Sequence, residues 1–188
     1  LAASERVREV SLGREAGTWA VILDADETVL DNSAYQIRLA RRGESFSNET
    51  WNAWVREERA GAQPGAADFI ALVRSLGGRV AIVTNRDEPV CDPTRRNLDA
   101  LGIEVDVVLC QAPDERGKEA RFDAVREGTT HADLPPLDVV LWLGDNIHDF
   151  PGLDQEIRDG PRAALAHFGR RYFVFPNPMY GSWERLGG

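Results

Sequence analysis

Two short apolar runs in this chain each end in a pair of aspartates. The first run leads into Asp24 and Asp26, and the second leads through a glycine into Asp145 and Asp149. Continuous apolar runs of this kind predict strands that are covered on both faces of a sheet. Four carboxylates at neighbouring strand ends would repel one another, so a cation is expected between them, and hard oxygen ligands suit Mg²⁺.

Apolar runs alternate with helical patterns along most of the chain. The runs predict strands at Trp19–Leu23, Val80–Val83, Val105–Leu109, Val139–Leu143 and Tyr172–Phe175. The helical patterns lie at 1–16, Ala66–Leu76, Pro93–Leu101, Lys118–Glu127 and Arg162–Phe168. The last four of these helices are closed by a glycine, where a left-handed C-cap belongs, and Asp92 before Pro93 is typical of a helix start. The alternation predicts an α/β fold with a doubly wound parallel sheet, whose ligands bind at the carboxyl ends of the strands.

The stretch from 32 to 65 breaks this rhythm and predicts helices without a strand. Ser47 and Asn48 can cap a helix that places Trp51 and Trp54 on one face. We interpret the stretch as a small helical cap, with both tryptophans packed inside it. The tail from 176 to 188 is rich in proline, glycine and aromatic residues and is expected to be irregular.

Length and charge exclude several classes of protein. The 188 residues suffice for one well-buried domain spanning the whole chain, 1–188. A formal charge of −9, with basic residues scattered among acids, argues against binding of a nucleic-acid polymer. Apolar stretches stop well short of the roughly 20 residues that a membrane helix needs. The chain begins at Leu1 and its only methionine is Met179, which fits a removed export signal and a shortened start equally well.

The two cysteines, Cys91 and Cys110, lack the short spacing of a zinc or redox pair. Two buried small residues and a disulfide are equally compatible with the sequence. Parallel neighbouring strands could bring the two thiols together, and a disulfide would favour an oxidising compartment.

The first aspartate pair has the spacing that hydrolysis of a phosphate monoester needs. A poor nucleophile must approach an anion, and an alkoxide must leave; a fixed carboxylate with a proton donor two residues away solves both problems. Asp24 would attack phosphorus to form an aspartyl-phosphate, and Asp26 would protonate the leaving oxygen and later activate water. The alternative is an ordinary turn with a helix cap, which the second acidic run makes less attractive.

Lys118 is the only lysine in a chain that otherwise uses arginine for every basic position. A compact ammonium differs from a planar guanidinium when it must lie between a carboxylate and a phosphate. We therefore predict a phosphate-site role for Lys118 in preference to a solvated position in a first helical turn. Thr84 and Asn85 follow a predicted strand and offer neutral donors for phosphoryl oxygens, although the same pair is common at helix starts.

Taken together, these residues resemble the haloacid dehalogenase superfamily, and more closely its class C acid phosphatases, the bacterial lipoprotein 5′-nucleotidase family. The resemblance covers nearly the whole chain. The matching segments are Leu23–Tyr35, Val83–Arg86, Lys118–Phe122, Gly144–Phe150 and Pro176–Glu184. It implies a Rossmann-like core and an extracytoplasmic location, either periplasmic, secreted or anchored at the cell surface.

The resemblance also implies roles for particular residues. Asp24 would be the nucleophile and Asp26 the general acid and base. Mg²⁺ would bind Asp24, the backbone carbonyl of Asp26 and Asp145, while Asp149 orients the metal shell. Phosphate would be held by Thr84, Asn85 and Lys118.

Several further positions receive weaker assignments. Tyr180 is a candidate for stacking on a nucleobase, as in similar family members, and Tyr35 is a possible second substrate contact. His148 is expected to face solvent, and Glu27 to cap or brace its loop. Ala25 and Ile147 replace a larger aliphatic residue and a leucine of the family pattern, which affects local packing more than chemistry.

The sequence thus predicts a Mg²⁺-dependent acid phosphatase for small phosphate monoesters, with nucleoside monophosphates among the candidate substrates. A phosphotransferase on the same scaffold is the nearest alternative. A non-catalytic storage or binding protein is another, although such relatives tend to lose the nucleophile that is present here. The expected partner is a small phosphomonoester, with membrane attachment only through a lost N-terminal anchor. The sequence gives no prediction of oligomeric state.

Overall fold

The computed structural model describes the backbone of residues 1–186 and the side chains of 1–184. Its strands are β1 (Trp19–Leu23), β2 (Leu30–Asp31), β3 (Gly61–Ala62), β4 (Arg79–Asp87), β5 (Val107–Gln111), β6 (Asp138–Gly144) and β7 (Tyr172–Val174). Its helices are α1 (Ala2–Ser11), α2 (Ser33–Arg42), α3 (Asn48–Arg56), α4 (Ala66–Ser75), α5 (Cys91–Ala100) and α6 (Glu119–Glu127). Short 3₁₀ turns lie at Glu88–Val90, Ile147–Asp149, Gln155–Asp159, Arg162–Leu165 and Ser182–Leu186.

Within the described residues, five strands form a parallel sheet in the order β5-β4-β1-β6-β7. The central strand β1 is buried along its whole length, because strands pair with it on both sides and helices cover both faces. This is the doubly wound α/β arrangement predicted from the alternating pattern. The carboxyl ends of β1, β4 and β6 therefore meet at one edge of the sheet.

Alternate residues of β1 enter two separate cores. Val21 and Leu23 pack on the face that carries Ile70 of α4, and Ile22 packs on the face that carries Phe122 of α6. Burial on both faces explains why the strand sequence is a continuous apolar run without polar alternation.

The segment from 32 to 65 contains α2 and α3, and Ser47 caps α3 by accepting a hydrogen bond from the Thr50 amide at 3.2 Å. Trp54 is buried and Trp51 is half-buried, as expected of packing residues in a cap. The expectation that this segment has no strand is wrong, because β3 pairs antiparallel with β2. A ladder of two residues on each strand is too short to leave an apolar alternation in the sequence.

Other boundaries differ from the sequence predictions for local reasons. The first helix ends at Ser11 instead of 16, β5 starts two residues late, and β4 runs on through Thr84 to Asp87 with a shifted register. The 3₁₀ turn at Glu88–Val90 leads straight into α5, so Asp92 lies inside the first turn and is not its N-cap. The predicted helix at Arg162–Phe168 is a 3₁₀ turn over Arg162–Leu165 that contains no buried residue, and Phe168 beyond the turn packs against Phe150.

Cys91 and Cys110 form a disulfide with their Cα atoms 5.8 Å apart, which joins the start of α5 to β5. The irregular tail contains one 3₁₀ turn, and its last residues, 187 and 188, lie outside the described part of the chain. Among residues 1–186, the helices are all too short or too polar to cross a lipid bilayer.

Candidate active site

The centre of the site is an ion cluster in which one ammonium joins two carboxylates. Asp24 directly follows β1, and its backbone N–H donates to the carbonyl of Leu143 at 2.9 Å, which fixes it beside β6. The Lys118 ammonium, at the N-terminus of α6, donates to Asp24 at 2.5 Å and to Asp149 at 2.7 Å. All three side chains are buried, so their charges interact in a poorly screened environment.

Asp149 is held in place by its own turn. One carboxylate oxygen accepts a hydrogen bond from Lys118, and the other accepts a hydrogen bond from the backbone N–H of Asn146 at 2.8 Å. Gly144 makes this approach possible, because a Cβ at that position would overlap the Asp149 carboxylate. The glycine between β6 and the second aspartate pair is therefore a steric requirement of the site.

A third carboxylate completes the cluster. Oxygen atoms of Asp24, Asp145 and Asp149 lie within 4.8 Å of one another. Asp145 accepts a hydrogen bond from the side-chain amide of Asn177 at 2.7 Å, which ties the C-terminal segment to the site. Sequence reasoning gave Asn177 no role, although it lies inside a segment that matched the family pattern.

The cluster combines three carboxylates with one ammonium, and burial and mutual repulsion act on their pKa values. Burial raises the pKa of Asp24 well above its usual value; Lys118 opposes this rise, and Asp149 and Asp145 add to it. Burial also raises the pKa of Asp145 to about 6, with a smaller contribution from Asp149. For Lys118, burial alone would lower the pKa, but Asp149 and Asp24 raise it. Hard carboxylate oxygens at this spacing suit a divalent cation of the Mg²⁺ type.

The side chain of Asp26 is hydrogen-bonded to residues outside this cluster. It accepts hydrogen bonds from Arg86 at 2.7 Å (Nη2) and 2.9 Å (Nε), and from the side-chain amide of Asn32 at 2.9 Å. Asn32 in turn accepts from the indole N–H of Trp54 at 2.9 Å. The cap is therefore connected by hydrogen bonds to the candidate proton donor.

Arg86 was missed as a site residue by the sequence reasoning. It is 2 % exposed, and its guanidinium also donates to Thr94 at 3.1 Å and lies over the ring of Trp51, 5.6 Å from the centroid. Its position directly after Thr84 and Asn85, in a segment that matches the family pattern, was the available signal.

The predicted phosphate donors lie on β4 beside a second buried arginine. Thr84 is fully buried, and Asn85 is exposed at the sheet edge. Arg121 of α6 donates to the Thr84 carbonyl and, at 3.0 Å, to the Asn85 side-chain oxygen. It also donates to the carbonyl of Gly117 at 2.6 Å. Arg121 was missed too, and its spacing of three residues from Lys118, one helical turn, was the signal that could have identified it.

His148, in the loop after β6, and Glu27, in the loop after β1, have the environments that the sequence predicted. His148 is exposed. Glu27 is buried and braces its loop by accepting a hydrogen bond from the backbone N–H of Asn32 at 2.9 Å. Burial, with a smaller contribution from Asp26, raises the pKa of Glu27 to about 8.

A cavity of about 720 Å³ opens next to Asp26, between the cap and the C-terminal segment; we call it the cap cavity. Tyr180 is part of its wall, together with Phe46 and Trp51. Tyr35 is not, because it is 1 % exposed and donates to or accepts from Thr50 at 2.9 Å beneath the tryptophans. The structure thus brings Tyr180 to the cavity and leaves Tyr35 in the core.

A doubly wound sheet that presents a buried aspartate, a lysine and two further aspartates at its carboxyl edge has the architecture of the haloacid dehalogenase class. Residues 2–183 match the family described as HAD superfamily, subfamily IIIB (acid phosphatase), and the chain belongs to this family.

Solved structures and a curated relative agree with this assignment. The class C acid phosphatase from Bacillus anthracis superimposes with a TM-score of 0.84 and 34 % identity, covering 97 % of this chain and 76 % of that one. The same enzyme solved with tungstate bound gives a TM-score of 0.82 and 33 % identity, with the same coverage. Acid phosphatase 1 of Solanum lycopersicum is 27 % identical over 186 residues, which are 95 % of this chain and 64 % of the tomato protein.

Proposed function

We propose that this protein is a Mg²⁺-dependent acid phosphatase that hydrolyses small phosphate monoesters through an aspartyl-phosphate on Asp24. The observation that supports this most strongly is the position of Asp24, whose carboxylate lies at the end of β1, bonded to Lys118 and within 4.8 Å of two further carboxylates. A related enzyme binds tungstate, which is a tetrahedral oxyanion of the same shape as phosphate.

In the first half of the reaction, a carboxylate oxygen of Asp24 forms a bond to phosphorus as the bond from phosphorus to the ester oxygen breaks. Asp26 gives its proton to that oxygen, so a neutral alcohol leaves. Arg86 and Asn32 keep the Asp26 carboxyl group at the mouth of the cap cavity, where the alcohol part of the ester would lie.

In the second half, a water oxygen attacks phosphorus and gives its proton to Asp26. The bond between phosphorus and Asp24 breaks, and inorganic phosphate is released. Both aspartates return to their starting protonation states, so the cycle is balanced.

Phosphate oxygens would be held by Thr84, Asn85 and Lys118, which surround the end of β4 and the start of α6. Asp24, the backbone carbonyl of Asp26 and Asp145 would bind Mg²⁺, and Asp149 would orient its shell. The cation supplies positive charge that offsets the repulsion between the nucleophile and the phosphate.

The cap cavity supports small organic esters as substrates. Only one 3₁₀ turn, one helix and one strand lie between Thr84 and Lys118, so in the described chain no second cap inserted there closes over the site. Nucleoside monophosphates fit such a site, with Tyr180 available to stack on a base.

We also propose an extracytoplasmic location, since the Cys91–Cys110 disulfide favours an oxidising compartment.

The decisive assay measures initial rates on a panel of phosphomonoesters with Mg²⁺ and with excess chelator. We expect turnover with Mg²⁺, loss with chelator, and loss in Asp24→Asn, whose amide fills the same volume but cannot attack phosphorus. Asp24→Asn activity within tenfold of wild type would remove Asp24 from its role. Full activity in chelator would refute the metal requirement. A high ratio of transfer to hydrolysis with an added nucleoside would favour the phosphotransferase alternative.

A further inference from the structure

We propose that the cap cavity selects phosphate monoesters whose alcohol part carries a positive charge, as in quaternary ammonium or protonated amine alcohols. The inference rests on the proposed function, because it concerns the leaving group of that reaction. It follows from three features of the cavity: its position, its aromatic wall and the charges around it.

The position of the cap cavity identifies its occupant. Asp26 and Arg86 form part of its lining, and Asp26 is the residue that protonates the leaving oxygen. An ester whose phosphorus faces Asp24 must therefore direct its alcohol part past Asp26 into this space. At about 720 Å³ the cavity holds a small organic group with room for solvent.

The wall of the cavity is aromatic. Phe46 and Trp51 have ring centroids 6.2 Å apart on the cap side, and Tyr180 lies on the side of the C-terminal segment. Aromatic faces attract cations through the ring quadrupole. Trp51 already makes such a contact, because the Arg86 guanidinium lies 5.6 Å from its centroid.

The charges around the cavity are negative. Glu44 and Glu184 line it, and both are exposed to solvent. Among the described lining residues, Arg86 is the only cation; it contacts Asp26, and the two glutamates outnumber it even when Asp26 carries the proton that it gives to the leaving oxygen. Arg42 lies outside the lining and approaches Glu44 only to 3.9 Å. The two glutamates thus leave the cavity with a net negative rim, which attracts a cationic alcohol and repels a carboxylate or second phosphate.

A matched pair of substrates isolates this charge. Choline phosphate and 3,3-dimethylbutyl phosphate have the same shape, and one carries a quaternary nitrogen where the other carries carbon. We would measure kcat/KM for both esters in the wild-type protein and in the double variant Glu44→Gln/Glu184→Gln. The ammonium also makes choline the better leaving group, so the decisive quantity is the change in the choline-to-dimethylbutyl ratio between the two proteins.

We expect the ratio to fall by about 2- to 30-fold in the double variant, the range for two exposed ion pairs. A control variant, Glu5→Gln/Glu127→Gln, removes two exposed charges that do not line the cavity and should keep the wild-type ratio. Choline itself should inhibit hydrolysis of the neutral ester competitively, and less well in Glu44→Gln/Glu184→Gln.

The outcomes separate the two proposals. Hydrolysis of both esters with a ratio that the double variant leaves unchanged would overturn the selectivity for cations and leave the phosphatase proposal standing. A ratio that falls equally in the control variant would assign the effect to net charge and also overturn the inference. Failure to hydrolyse either ester, or any other monoester of the panel, would overturn both proposals.

Discussion

At the scale of single residues, the site depends on one ammonium buried between two carboxylates. Removing one partner of a buried ion pair is strongly destabilising, because it leaves an uncompensated charge in a poorly solvated place. Lys118 has two such partners, Asp24 and Asp149, and is 3 % exposed. The chain keeps a lysine here and arginine elsewhere, which is consistent with a space that fits a compact ammonium.

We therefore expect Lys118→Arg to be nearly as harmful as Lys118→Ala. The wider, planar guanidinium cannot approach both carboxylates and a phosphate from the same point, and loss of one such electrostatic donor typically costs about 10²–10³ in rate. The measurement is kcat/KM for an aryl phosphate, with Arg8→Lys on the exposed face of α1 as a control for the exchange of arginine and lysine. A wild-type rate in Lys118→Arg would remove Lys118 from the phosphate site and leave it a structural role between the two carboxylates.

At the scale of elements, Arg121 joins three pieces of chain that carry the phosphate donors. From α6 it binds the Thr84 carbonyl of β4, the Leu109 carbonyl of β5 at 3.4 Å and the Gly117 carbonyl just before Lys118. Its Nε donates to Glu115 at 2.8 Å, which fixes the loop between β5 and α6. One planar guanidinium thus sets the relative position of both halves of the phosphate site.

We expect Arg121→Lys to raise KM and the inhibition constant of inorganic phosphate by about 10- to 100-fold, as for other residues that orient a site from behind it. The ammonium keeps the charge but cannot reproduce the fork of hydrogen bonds. The measurements are KM, kcat and the free energy of unfolding in urea. The matched control is Arg116→Lys, because Arg116 is exposed and lies in the loop between β5 and α6. A variant that loses stability while its phosphate affinity is unchanged would contradict a positioning role.

Strands formed by dense apolar runs could be predicted from the sequence. Short strands that depend on distant pairing partners, and exposed turns of helical composition, could not. The bounds of β1 follow directly from its five apolar residues, all of which are buried. The pairing of β2 with β3 depends on backbone contacts between residues far apart in the chain, so no local pattern marks it. The segment after Pro161 has helical composition, but Arg162–Leu165 contains no buried residue, and tertiary context decides such cases.

At the scale of the whole molecule, the sheet topology assembles a site whose parts are distant in sequence. The aspartates could be predicted because they follow recognisable strands, and Lys118 because it is the only lysine of the chain. The roles of Arg86, Arg121 and Asn177 come from partners that only the fold brings near, so sequence position could point to these residues without showing what they bind. The even choice between free thiols and a disulfide was likewise settled by the fold, which brings α5 against β5.

The central claim is that Asp24 becomes phosphorylated during turnover, and chemical trapping tests it most directly. Acid quenching during turnover of a phosphomonoester, followed by reduction with borohydride, converts an aspartyl-phosphate to homoserine, which peptide mass spectrometry locates. We predict homoserine at position 24 in the wild-type protein with substrate, and none without substrate or in Asp24→Asn. Continued turnover with aspartate intact at position 24, or a phosphorylated residue elsewhere in the site, would contradict the account.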